Sequence, residues 1–142
     1  HYLPKMLEKN WGRIIFISSE SGVQIPSEMI HYGTTKTAQL GVARGLAQQT
    51  SGTNVTVNSV IPGSTKSEGA EKFIAELAKE QGKTTDEIER EFFETVRPTC
   101  LIKRFATIEE VATFVTYLVS PLAAANNGAA LRVDGGTIPT IL

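Results

Sequence analysis

The stretch Gly12-Arg13-Ile14-Ile15-Phe16-Ile17-Ser18-Ser19 decides the fold. Its β-branched and aromatic run at 13–18, opened by glycine and closed by serines, reads as a short strand buried on both faces, as in a parallel sheet. Downstream, Ala38, Leu40, Val42, Ala43, Leu46 and Ala47 recur near helical spacing and stop before Ser51-Gly52, so 31–50 is expected to be a helix. Residues 54–61, Asn-Val-Thr-Val-Asn-Ser-Val-Ile, return to β-branched character and halt at Pro62-Gly63, a strand followed by a sharp turn. Strand, helix and strand make a right-handed crossover unit.

Beyond that unit, Ser64 to Pro98 is charged, and its two amphipathic patterns are broken by Gly82. The first covers about 69–81. The second starts with Thr84 and Glu87, spaced as a capping box, and runs through Ile88, Phe92, Phe93 and Val96. The segment reads as a lid inserted after a strand. Thr107 and Glu110 repeat the cap spacing ahead of Val111, Phe114, Val115 and Leu118, a further helix, and 129–133 is a last short strand before Asp134-Gly135-Gly136. With no internal repeat, low-complexity tract or linker, 1–142 is expected to be one α/β domain.

Composition narrows the functions. Fourteen Lys and Arg against 15 Asp and Glu leave no basic footprint for nucleic acid or an acidic membrane surface, so a small ligand is the expected partner. Cys100 is the only cysteine, which excludes an internal disulfide and a thiolate metal cluster and suits a reducing cytoplasm. With His1 terminal and His31 expected to face solvent, no metal site is expected. No apolar run approaches the roughly 20 residues of a membrane span, and the start is not a secretory signal. Opening on His1 rather than methionine reads as a cleaved, truncated or otherwise partial polypeptide.

Tyr32 and Lys36 carry the chemistry. Their four-residue spacing puts phenol and ammonium one turn apart on one helix face. A phenol with a reference pKa of about 10 is a poor base near neutrality, but a fixed ammonium close by favours its phenolate and makes general acid–base work possible. Ser19 lies thirteen residues upstream at the end of the first strand, and Pro62-Gly63 ends the next. In open parallel sheets ligands bind outside the carboxyl ends of the strands, so these elements point into one crevice.

Five ordered motifs resemble the carboxyl-terminal half of the classical short-chain dehydrogenase/reductase family. They are Gly-Arg-Ile-Ile-Phe-Ile-Ser-Ser at 12–19, Tyr-Gly-Thr-Thr-Lys at 32–36, Val-Thr-Val-Asn-Ser-Val-Ile-Pro-Gly at 55–63, Lys-Arg-Phe-Ala-Thr-Ile-Glu-Glu-Val-Ala at 103–112, and Asn-Gly-Ala-Ala-Leu-Arg-Val-Asp-Gly-Gly at 127–136. The resemblance implies a Rossmann-type doubly wound sheet of which this chain holds three strands with flanking helices, and it makes 66–98 the variable substrate loop. It implies interconversion of a carbonyl and a secondary alcohol with NAD or NADP. Tyr32 is then the acid/base, Lys36 bonds the nicotinamide ribose, and Ser19, with Ser18 as rival, bonds the substrate oxygen. Pro62 and Gly63 form the turn under the nicotinamide, and either Thr65 or Ser67 bonds its carboxamide. Phe73, Phe92 and Phe93 line a substrate pocket or pack a core.

The family's glycine-rich turn, its discriminator between NAD and NADP and its catalytic asparagine have no counterpart in this chain; Asn10 lies too near Ser19 to stand in. The expected partners are therefore the missing amino-terminal half and further copies in a dimer or tetramer. Alone, this half is expected to be inactive and to expose an apolar strand edge. Two other readings remain open: a non-catalytic association module derived from the family, and an isomerase or dehydratase on the same scaffold.

Overall fold

Strand β2 (Val55–Pro62) lies between β1 (Gly12–Ile17) and β3 (Ala130–Val133) in a three-stranded parallel sheet. The structure is a computed structural model that describes residues 1–141. In register, Gly12 faces Val55 and Ile17 faces Val60, while Ser59 faces Ala130 and Pro62 faces Val133. The helices are α1 (Leu3–Glu8), α2 (Ile30–Gln48), α3 (Glu68–Gln81), α4 (Thr85–Glu91) and α5 (Ile108–Val119).

Alternation along β2 builds a core on each face. Val57 packs with Ala43 and Ala47 of α2 and with Ile14 and Phe16 of β1. On the opposite face Val60 packs with Leu118 of α5, Ala123, Ile15 and Phe114. Small residues on α2 let the helix settle close to the sheet, and β2 is buried from Val55 to Ile61 because strands and helices cover it on all sides.

β1 departs from the expectation of a strand buried on both faces: only Gly12 is buried, four residues are half-buried, and Ile17 is 45% exposed. The cause is its position. Among the described residues β1 has a neighbour on one side only, so its outer edge and the side chains beside it meet solvent. Trp11, just before it, is also exposed.

The 64–98 segment packs on a separate small core of Ile74, Ala78, Ile88 and Phe93, completed by Cys100 and Phe105 from the chain just beyond it. Ser67 caps α3, and Gly82 ends it in the left-handed conformation. Thr84 and Glu87 form the expected capping box, as do Thr107 and Glu110 on α5. The second pattern is not one continuous α-helix: α4 gives way at Phe92 to a π-helical turn, Phe92–Val96. This turn buries Phe93, while Phe92 stacks on Phe105 at 5.1 Å and stays half-buried. Helix α1 had no signal in the hydrophobic pattern, and none of its residues is buried.

Candidate active site

β1 ends at Ile17, and the chain turns immediately through Ser18 and Ser19 toward α2. Ser18 is tied into the scaffold: its amide donates to Val60 O at 2.8 Å and its hydroxyl to Lys36 O at 2.9 Å. Ser19 is extended and caps the short turn Glu20–Gly22. Its hydroxyl accepts from the Ser21 amide at 3.1 Å and donates to Glu20 Oε2 at 2.7 Å.

The turn lies on the first turns of α2, where Thr37 Oγ1 donates to Gly22 O at 2.7 Å. Gly33, between Tyr32 and Lys36, permits this approach, since a Cβ there would stand 2.7 Å from Ser21 O and 2.6 Å from Ile25 Cγ2. The Ser19 turn and the Tyr32 helix are thus held together by backbone-close packing. Tyr32 is half-buried, and the Lys36 Nζ sits 5.5 Å from its ring centroid and donates to Ile17 O at 3.0 Å. An ammonium has three N–H donors, so the Ile17 bond leaves capacity for a ligand. His31, the neighbour of Tyr32, faces solvent as expected.

Pro62 and Gly63 follow at the carboxyl end of β2, where the Gly63 amide donates to Val133 O at 3.3 Å. A Cβ on Gly63 would lie 2.6 Å from Asp134 O, so the missing side chain already serves contact between the β2 and β3 ends. Thr65 Oγ1 donates to Gly63 O at 3.0 Å, whereas Ser67 Oγ accepts from the Ala70 amide at 3.3 Å. The Thr65 hydroxyl hydrogen is engaged, whereas among the described residues that of Ser67 meets no acceptor.

Glu20 was not picked out by the sequence. Its carboxylate is buried and forms an ion pair with Arg97, Nε to Oε1 at 2.8 Å. The Ser21 amide and hydroxyl add bonds to Oε2. Burial pushes the Glu20 carboxyl up, but the Ser19 and Ser21 hydroxyls and the Arg97 guanidinium together outweigh it and hold the group below its ordinary value. No local pattern could have found this pair, because 77 residues separate its members.

The three phenylalanines divide. Phe93 is core, while Phe73 and Phe92 line an apolar groove of about 370 Å³ with Leu77, Val96 and Phe105. That size falls in the range of small-ligand sites. Near Glu20 and Arg97 a smaller polar cleft of about 240 Å³ is walled by Gln24, Pro26, Glu28 and Thr137. Among the described residues no cluster of His, Cys, Asp or Glu is arranged to hold a metal ion.

A parallel sheet with helices on both faces, carrying a serine at one strand end and a Tyr–Lys pair on the following helix, defines a Rossmann-type α/β half-domain. The chain belongs to the short-chain dehydrogenase/reductase family: the family model described as enoyl-(acyl carrier protein) reductase matches residues 1–137. An uncharacterized oxidoreductase of Bacillus subtilis, YvaG, is 49% identical over 140 residues, covering 99% of this chain and 53% of the relative. The D-beta-hydroxybutyrate dehydrogenase of Rhizobium meliloti is 34% identical over 134 residues, or 94% of this chain and 51% of that protein. The L-sorbose reductase of Gluconobacter frateurii, solved with NADPH and L-sorbose, superposes with a TM-score of 0.88 at 31% identity, covering 98% of this chain and 52% of that one. The chain spans about half the length of the curated relatives it matches.

Proposed function

We propose that this chain is the catalytic half of an NAD(P)-dependent oxidoreductase that interconverts a carbonyl and a secondary alcohol. The observation that carries the proposal is the Lys36 ammonium, set between the Tyr32 ring and the Ile17 carbonyl at the carboxyl end of β1. Tyr32 delivers a proton to the substrate oxygen or takes one from it. Lys36 keeps a positive charge beside that ring and offers its remaining N–H donors to ribose hydroxyls. Ser19 bonds the substrate oxygen, where a positioned dipole acts on developing charge.

The donors present fit the nicotinamide–ribose end of such a cofactor, which supplies the hydride equivalent when bound. Lys36 would hold the ribose. Pro62 and Gly63 would lie under the ring, with Ser67 the better candidate for the carboxamide because its hydroxyl hydrogen is uncommitted. Among the described residues nothing fits the pyrophosphate, so 1–142 is best read as a single partial domain, with 66–98 as its substrate loop. We assign the pyrophosphate and the choice between NAD and NADP to the family's amino-terminal half, beside the open edge of β1. On that reading the 142-residue chain alone does not turn over.

Exposed Val42 on α2 supports pairing with a second copy in a dimer or tetramer. The single, buried Cys100 suits the reducing cytoplasm, and among the described residues no helix is long and apolar enough to cross a membrane. The test is oxidation of NADH or NADPH by the complete polypeptide across a panel of ketones and aldehydes. Carbonyl-dependent oxidation of either cofactor supports the proposal. Cofactor binding without oxidation across the panel would count against it and favour proton-transfer chemistry on the same scaffold.

A further inference from the structure

Glu20 is an acidic group buried beside a serine, and the catalytic reading of Tyr32, Lys36 and Ser19 makes no use of it. Its two oxygens face in different directions. Oε2 receives the Ser19 hydroxyl at 2.7 Å and the Ser21 hydroxyl at 2.8 Å, while Oε1 receives Arg97 Nε at 2.8 Å. Arg97 is 13% exposed and Glu20 7%, so this is a desolvated pair rather than a surface contact. Removing one partner would strand the other's charge, so the pair is coupled in a way exposed pairs are not.

The pair also joins two parts of the molecule. Glu20 sits in the turn between β1 and α2. Arg97 directly follows the π-helical turn and closes it by donating its amide to Phe92 O at 2.9 Å, and that same turn supplies Phe92 and Val96 to the apolar groove. A hydroxyl has one hydrogen, and that of Ser19 is committed to Glu20. The direction in which Ser19 presents its oxygen is therefore set by a carboxylate whose own position is set by the 66–98 segment.

We propose that Glu20 and Arg97 are positioning residues: Glu20 orients the Ser19 hydroxyl, and Arg97 makes that orientation depend on the placement of the substrate segment. A ligand that shifts the π-helical turn on entering the groove moves Arg97, loosens Glu20 and releases the Ser19 hydrogen toward the substrate oxygen. The segment that selects the substrate thereby also adjusts the group that polarises it. The inference rests on the catalytic reading of Ser19.

The test compares kcat and KM in the complete polypeptide for wild type, Glu20→Gln, Arg97→Lys, Ser19→Ala and the two double variants with Ser19→Ala. Glu20→Gln keeps the side-chain volume but leaves the buried Arg97 charge unpaired, and Arg97→Lys keeps the charge, so thermal melting of each variant verifies the fold before the kinetics are compared. Glu20→Gln is expected to lower kcat by about tenfold with little change in cofactor KM, the scale expected when an oriented group loses its alignment. Arg97→Lys, which cannot reproduce a directed guanidinium bond, is expected to move kcat the same way by a smaller factor. In the Ser19→Ala background both effects should vanish, because the group being positioned is gone. The same factor with and without Ser19, or an unchanged kcat in both single variants, overturns the inference. Wild-type kcat in Ser19→Ala instead overturns the catalytic role of Ser19, a result visible before the doubles are read.

Discussion

The Lys36 ammonium donates to the Ile17 carbonyl at 3.0 Å, while the Ser18 hydroxyl donates back to the Lys36 carbonyl at 2.9 Å. This reciprocal pair locks the last residue of β1 to the second turn of α2. Lys36 is thereby aimed at the strand end rather than left to wander in solvent. Lys36→Met keeps the length of the stem but removes both the charge and the donor. It is expected to lower kcat/KM by about a hundredfold or more and to raise the cofactor KM, measured by steady-state kinetics. A change of less than about threefold in both would remove Lys36 from the site.

Gly63 faces the Asp134 backbone so closely that a Cβ would lie 2.6 Å from a carbonyl oxygen. Backbone cannot rotate away as a side-chain tip can. Gly63→Ala is expected to destabilise the protein by about 1–3 kcal/mol, read from a urea midpoint, through forced separation of the β2 and β3 ends. An unchanged midpoint would mean that the strand ends part freely, leaving ligand approach as the sole reason for glycine.

Phe93 is 1% exposed among Ile74, Ile88 and Phe105, whereas Phe73 is 61% exposed at the groove. Phe93→Ala should cost about 3–5 kcal/mol, and Phe73→Ala about 0.5 kcal/mol or less. If the groove takes the substrate, Phe73→Ala also raises the substrate KM. Equal stability losses for the two would contradict the division between core and groove.

Acid should loosen the Glu20–Arg97 link. The folded-state pKa of Glu20 is lowered, so its contribution is complete above the ordinary carboxylate value of 4.5 and is lost as pH falls below it. Glu110, lowered to about 2 chiefly by its Arg104 bonds, adds a loss as pH falls from 4.5 toward about 2, reduced by solvent screening because that pair is exposed. Unfolding midpoints measured between about pH 6 and pH 3 should fall more shallowly for Glu20→Gln than for wild type. Parallel curves would mean that Glu20 titrates alike in both states.

Local chemistry made much of this fold legible. The strand–helix–strand unit, the capping boxes at Thr84 and Thr107 and the break at Gly82 each depend on residues within a few positions of one another. What stayed hidden depends on distant partners. The burial of β1 is set by whether a strand lies at its outer edge, which no apolar run can report. Phe92 and Phe93 look alike in sequence, and the fold sends Phe93 into the core and Phe92 to the groove at the start of the π-helical turn. At the candidate site, the placing of Tyr32 and Lys36 one turn apart on one helix was legible in their spacing. The Glu20–Arg97 pair was not, since 77 residues separate its members and only the fold brings them together.

The central claim is that Tyr32 carries the proton. In the complete polypeptide, Tyr32→Phe keeps the ring beside Lys36 and deletes only the hydroxyl, so the most direct measurement is its kcat together with its cofactor Kd. The expected result is a loss of turnover of about a thousandfold or more, with the cofactor Kd within about threefold of wild type. Near-normal turnover in Tyr32→Phe would contradict the account.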